Sequence, residues 1–172
     1  EARRMVPELR PAVVAIDFTP FIEPSVFDDL EARVSTGDRL YKDLAEVRAY
    51  LSGRYPRLPP DAIERRAVHG YAAAAGGLRP RADPAAMRQI ASGLREDLVP
   101  VLEQIEIPTL LIRGADSKLV SANAWARTHA LRPDLAACEL EGADHYVPEE
   151  VPARVAEVIH DFWNGLDSDR RA

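Results

Sequence analysis

The 172 residues are enough for one ordinary domain with a real core, and 47% hydrophobic with 29% charged residues is the balance of a globular chain. A formal net charge of −6 without any long Lys/Arg run argues against nucleic acid as a partner. The single cysteine, Cys138, excludes an intrachain disulfide and a multi-Cys metal site, and no apolar run reaches the roughly 18 residues of a membrane span.

The chain opens Glu1-Ala2-Arg3-Arg4-Met5-Val6-Pro7, without an initiator Met or a leader pattern. The stretch reads as the last turn of a helix closed by Pro7, so the expectation is a chain cut from a longer protein. Pro11 to Asp17 is a short β-branched run, apolar on both faces and ended by a carboxylate, as in a parallel strand covered by helices on each side. Phe18 to Pro24 is a loop. Ser25 to Val34 is a helix with an N-cap Ser, acids in its first turn and Val26, Leu30 and Val34 on one face. Asp43 to Leu51 is a second helix, with Leu44, Val47 and Leu51 inward. Asp61 opens a third, with Ile63, Ala67 and Tyr71 along it and Ala72 to Ala75 as its continuation.

Gly76 to Pro84 reads as a long loop, and Asp83 with Pro84 caps a helix running to about Leu94. A short helix covers Asp97 to Gln104. Residues 25–105 are thus expected to be helices and prolines with no strand. From Ile107 the character changes. Ile107 to Gly114 is a buried strand, Ser121 to Leu131 a Ser-capped helix, and Ala136 to Leu140 a further strand. Val151 to Trp163 is the last helix, with Val151, Val155, Val158, Ile159 and Phe162 inward, and Asp167 to Ala172 is a polar tail. Strand–helix–strand–helix order with right-handed crossovers implies a parallel sheet, hence an α/β fold.

The strand from Ala136 runs into Glu141-Gly142-Ala143-Asp144-His145, a His on a turn at the carboxyl end of a strand, where open parallel sheets collect ligands. Asp116 follows the preceding strand, 29 residues earlier, and would emerge at the same end of the sheet. A carboxylate beside an imidazole there is two-thirds of a nucleophile–base–orienter triad. Asp17, ending its own strand, is the alternative acid. Phe18, Phe21 and Tyr146 flank the same crevice, with core packing and substrate contact equally open. Asp144 reads as a turn former, His69, His129 and His160 as surface or structural histidines, Cys138 as a small buried apolar residue, and Trp125 and Trp163 as packing anchors. The tyrosines at 41, 50, 55 and 71 lie in the inserted region, where they are candidates for a substrate pocket. No His/Cys/Asp/Glu cluster has metal spacing, and neither metal nor cofactor is expected.

The phrases V-V-A-I-D-F-T-P (13–20), I-P-T-L-L-I-R-G-A-D (107–116) and L-E-G-A-D-H-Y-V-P-E-E (140–150) resemble the α/β-hydrolase family. The resemblance covers essentially the whole chain, as the C-terminal part of that fold. It implies that 1–17 holds the end of the nucleophile helix and the strand after it, 18–105 the inserted helical cap, 106–166 the last two strands with their helices, and 167–172 a tail. It places a catalytic acid on Asp116, or on Asp17 as in haloalkane dehalogenases, and the base on His145. Family members often carry the acid three residues after the Gly that closes the strand, which here is Ser117.

The departure is the nucleophile. Family members place it in a G-x-S-x-G elbow. None of Ser25, Ser35, Ser52, Ser92, Ser117, Ser121 or Ser168 has flanking glycines in a strand-to-helix context. The elbow is expected upstream of Glu1. The leading expectation is a serine hydrolase of an ester, lactone or related carbonyl compound, inactive as this chain alone. The alternatives are a haloalkane dehalogenase or epoxide hydrolase of the same fold, or a non-catalytic fragment acting as an interaction module. Expected partners are a small-molecule substrate, and either the missing N-terminal part or a second copy along the exposed edge of strand 11–17; neither nucleic acid nor membrane is expected. Cytoplasmic location is the default.

Overall fold

The computed structural model describes residues 11–37, 39–93 and 95–169; the expected helix end at 1–10 and the last residues of the tail lie outside them. In chain order the elements are β1 (Val13–Ile16), α1 (Pro24–Gly37), α2 (Leu44–Arg54), α3 (Pro60–His69), β2 (Tyr71–Ala74), β3 (Gly77–Pro80), α4 (Pro84–Gly93), α5 (Val99–Glu103), β4 (Thr109–Gly114), α6 (Ala122–Leu131), β5 (Ala136–Leu140), α7 (Val147–Glu150) and α8 (Pro152–Asp169). They fall into two compact units, 22–96 and the remainder. The inserted unit is therefore narrower at both ends than the expected 18–105. Helix α8 runs through Asp169, into the stretch expected to be tail.

The larger unit is built on a parallel three-stranded sheet in the order β1-β4-β5. All six residues of β4 are buried, as a central strand covered on both faces requires. The period of two then sorts side chains by face. Leu110 and Ile112 join Leu140, Ala143, Val147 and Val155, with Val14, Ile16, Cys138, Val158, Ile159 and Phe162 packed around them. Leu111 points the other way, to Leu102 and Leu135, with Ala15, Phe18, Trp125 and Leu131. The inward set expected of the last helix is the set that packs here. Ile112 is fully buried. Ile112→Ala is expected to cost about 3 kcal/mol through lost transfer energy and an unfilled cavity. Denaturant unfolding would measure it, and a cost below about 1 kcal/mol would show that the sheet face can collapse around the gap.

The inserted unit contains the one strand pair the sequence did not suggest. Strands β2 and β3 form an antiparallel hairpin, with Ala74 opposite Gly77. The Ala-rich run after α3 favours helix by composition, but three glycines override it. Gly70 closes α3 with its N–H on the Arg66 carbonyl. Gly76 takes the hairpin loop at φ 84°. A Cβ at Gly77 would lie 2.1 Å from the Tyr41 carbonyl oxygen, so only glycine lets that strand pass. Tyr41 and Leu78 exchange backbone hydrogen bonds at 2.8 and 2.7 Å. Tyr71, expected on the third helix, lies in β2 and packs edge-on against the buried Tyr41 ring, which also meets Tyr50. Burial pushes the Tyr71 phenol up from its ordinary range. Helix α2 starts where expected, with Asp43 accepting the Glu46 N–H at 2.9 Å, and α4 starts on Asp83, which accepts from Ala85 and Ala86.

Candidate active site

Two loops at the carboxyl ends of β4 and β5 are zipped together by backbone bonds. The Ala115 N–H reaches the Leu140 carbonyl at 3.0 Å and the Asp116 N–H reaches that of Ala143 at 2.9 Å. Asp144 extends the zipper: its Oδ1 accepts from the Lys118 N–H at 3.1 Å and from the His145 N–H at 2.8 Å. Its own N–H donates to Glu150 at 2.5 Å. Asp144 thus forms the turn, and the zipper fixes where His145 leaves the backbone.

The His145 ring meets Asp17. Its Nδ1 lies 2.8 Å from Asp17 Oδ2. A carboxylate only accepts, so the bond sets Nδ1 as the protonated nitrogen and leaves Nε2 as the proton acceptor. Asp17 also takes the Gly114 N–H on Oδ1 at 3.2 Å and the Ser117 hydroxyl on Oδ2 at 2.6 Å. Its side chain is fully buried, whereas that of His145 keeps 42% of its surface exposed. An anion at that depth is held by its donors. The imidazole is thus reachable from solvent and the carboxylate is not.

Asp17 sits at φ 52°, the only non-glycine residue with positive φ among those described. Asp enters this region more readily than most residues, at about 1–3 kcal/mol. The twist turns the chain out of β1 while the Asp17 N–H still donates to the Ile112 carbonyl at 2.6 Å. Beyond it, Thr19 fastens the exit: its hydroxyl lies 2.9 Å from that of Thr128 on α6, and it accepts the Phe21 N–H at 3.0 Å.

The preference for Asp116 as partner of the ring is therefore corrected: the alternative, Asp17, makes the bond. Asp116 is exposed, with its N–H committed to the zipper. The next residue, Ser117, is the one turned inward at that strand end, and it carries a hydroxyl. Of the expected crevice residues, Tyr146 stacks edge-on against His145 with ring centres 5.0 Å apart. Phe18 instead packs in the core against Leu102, Leu111 and Leu135, and Phe21 lies under the Arg127 guanidinium at 4.0 Å. Trp125 packs in the core as expected, but Trp163 is 45% exposed. His69, His129 and His160 are exposed, and burial raises the half-buried Cys138 thiol.

A cavity of about 430 Å³ opens at the opposite ends of β4 and β5, between Thr109, Ala136 and Phe162, away from His145. Among the described residues no group of His, Cys, Asp or Glu could hold a metal ion, and no helix is long and apolar enough to cross a membrane.

A parallel sheet with helices on both faces, a helical insertion after its first strand, and a carboxylate and a His brought together at the same end of the sheet define the C-terminal part of an α/β-hydrolase fold. The chain has that fold. It is 53% identical over 156 residues to a 2-(acetamidomethylene)succinate hydrolase of Mesorhizobium japonicum, covering 91% of this chain and 56% of that protein. The crystal structure of an E-2-(acetamidomethylene)succinate hydrolase superposes with a TM-score of 0.87 at 52% identity, over 95% of this chain and 61% of the other. The thioesterase domain of the curacin biosynthetic pathway superposes with a TM-score of 0.70 at 17% identity, over 91% and 60% respectively, a likeness of fold alone. No family model matches the chain. The chain spans 56% of the length of its curated relative.

Proposed function

We propose that this chain supplies the general base, His145, and its orienting acid, Asp17, to a hydrolase of carbonyl compounds, and that the substrate is 2-(acetamidomethylene)succinate or a close analogue. The observation that carries the assignment is the 2.8 Å bond between His145 Nδ1 and the buried Asp17 carboxylate. The 53% identity to a hydrolase of that compound supports the substrate class. The compound's name gives an amide and two carboxylates, which falls under the related carbonyl compounds expected beside an ester or lactone.

In the proposed mechanism His145 Nε2 takes the proton of a serine hydroxyl as its oxygen bonds to the acetyl carbon. The imidazolium then protonates the leaving nitrogen as the C–N bond breaks. Water, deprotonated by His145 Nε2, then attacks the acyl carbon; the bond to the serine oxygen breaks, that oxygen takes the proton back from the imidazolium, and acetate is released. Asp17 holds the tautomer throughout. The serine is not among these 172 residues in elbow form, and the resemblance to the family implies that it comes from upstream. The inserted unit is proposed to be the cap that selects the substrate. A dehalogenase with an elbow carboxylate also fits an acid at Asp17, but the similarity to a 2-(acetamidomethylene)succinate hydrolase favours the serine mechanism.

The chain alone is accordingly expected not to release acetate from 2-(acetamidomethylene)succinate above the buffer rate, nor to hydrolyse an activated acetate ester. Turnover by the isolated chain would show that a nucleophile lies within it. The same sample is expected to elute as a dimer or larger, because among the described residues β1 ends the sheet and no strand pairs with its outer edge. A stable monomer would count against the exposed-edge argument and against a second copy as partner.

A further inference from the structure

We propose that Ser117 is a positioning residue for the acid: its hydroxyl fixes which way the Asp17 carboxylate faces His145. The proposal rests on the reading of Asp17 and His145 as acid and base. Ser117 is buried, and its Oγ accepts the Leu119 N–H at 3.2 Å and the Val120 N–H at 3.0 Å. A hydroxyl has two lone pairs and one hydrogen. With both lone pairs occupied by backbone donors, the hydrogen is left to Asp17 Oδ2, 2.6 Å away. That oxygen is also the one bonded to His145 Nδ1, while Oδ1 takes the Gly114 N–H. Donors on both oxygens prevent the carboxylate from rotating about its last bond.

The turn carrying Ser117 is itself anchored. Arg113, with a side chain only 4% exposed, donates from Nε to the Val120 carbonyl at 2.7 Å and pairs with Glu139 on β5. Bonds therefore run from Glu139 through Arg113, Val120 and Ser117 to Asp17. Of these links, the hydroxyl alone touches the acid.

A serine that merely closes its own turn would affect stability and leave turnover alone. The two roles separate in the complete enzyme, with kcat counted per active site by burst titration. Ser117→Ala is expected to lower kcat about 10- to 100-fold, the range of a hydrogen bond to a charged group, with KM within about twofold. Ser117→Thr, which keeps the hydroxyl, is expected to restore kcat to within about threefold of the wild type. The His145 Nδ1 proton resonance should weaken in the Ala variant and return in the Thr variant. If Ser117→Ala does not fold, Ser117→Cys keeps the shape with a much weaker donor and should show the same loss. Near-normal kcat in the Ala or Cys variant overturns the proposal, as does a Thr variant as impaired as Ala. Full activity in Asp17→Asn would instead overturn the acid assignment beneath it, so the two failures are distinguishable.

Discussion

Asp17→Asn is expected to lower kcat by about 10⁴-fold in the enzyme completed by its nucleophile, while Asp116→Asn stays within about threefold of the wild type. The asymmetry follows from the donors already in place. Asp17 receives the Gly114 N–H on one oxygen and the Ser117 hydroxyl and the His145 ring on the other. An asparagine there must keep its carbonyl toward the backbone N–H, which puts its NH₂ against Nδ1. Two donors then face each other, and the imidazole is driven to the tautomer with hydrogen on Nε2, where it cannot accept the nucleophile's proton. Asp116 is exposed and the His145 ring is bonded elsewhere, so its amide changes little. Steady-state kinetics on the two variants measures the contrast. A large loss in Asp116→Asn, with Asp17→Asn near normal, would return the acid to the loop after β4.

The two strand ends can both host an acid because β1 and β4 are parallel and in register. Val13 to Ile16 pair one to one with Thr109 to Ile112, and the Asp17 N–H closes the ladder on the Ile112 carbonyl. Residue 17 and the turn after Gly114 therefore face the same ring from adjacent strands. The sequence showed both carboxylates at these ends, since each follows a plain apolar run. It did not show which one turns inward, because that depends on a positive φ at Asp17 and on one residue of phase in the 114–117 turn. Neither leaves a trace in hydrophobic periodicity. The strands and helices of the sheet-bearing unit were legible for the opposite reason: burial on one or two faces imposes a period that tertiary contacts reinforce. The hairpin was not legible. Tyr71 to Ala74 carries only small side chains after its aromatic, and its strand state is imposed by glycines at both ends and by the Tyr41 backbone. In the sequence Ser117 is only the place where members of the family that the chain resembles often carry an acid; its two roles as acceptor and donor exist only in the folded turn.

Gly114→Ala is expected to be the most damaging single-methyl change in the site. The added Cβ would sit 2.2 Å from the Asp144 carbonyl oxygen and 2.6 Å from that of Ala143, well inside contact distance. Neither oxygen is free to withdraw. The Ala143 carbonyl accepts the Asp116 N–H, and residue 144 is tied by its side chain to Lys118 and by its N–H to Glu150. Relief requires β4 and the His loop to separate, which opens the zipper and pulls the Gly114 N–H from Asp17. Overpacking against fixed backbone costs about 3 kcal/mol, and in a protein of this size that is a fall in Tm of roughly 6–12 °C. Displacement of His145 by about 1 Å adds a loss of roughly 100-fold in kcat/KM for the folded fraction. Gly142→Ala provides the control. Gly142 has φ 77° and open space where its Cβ would be, so its cost is backbone strain alone, about 1 kcal/mol. Thermal unfolding and kcat/KM of the two variants decide the matter: if Gly114→Ala is no worse than Gly142→Ala, the loops are not locked together by this contact and the site is held by its side chains.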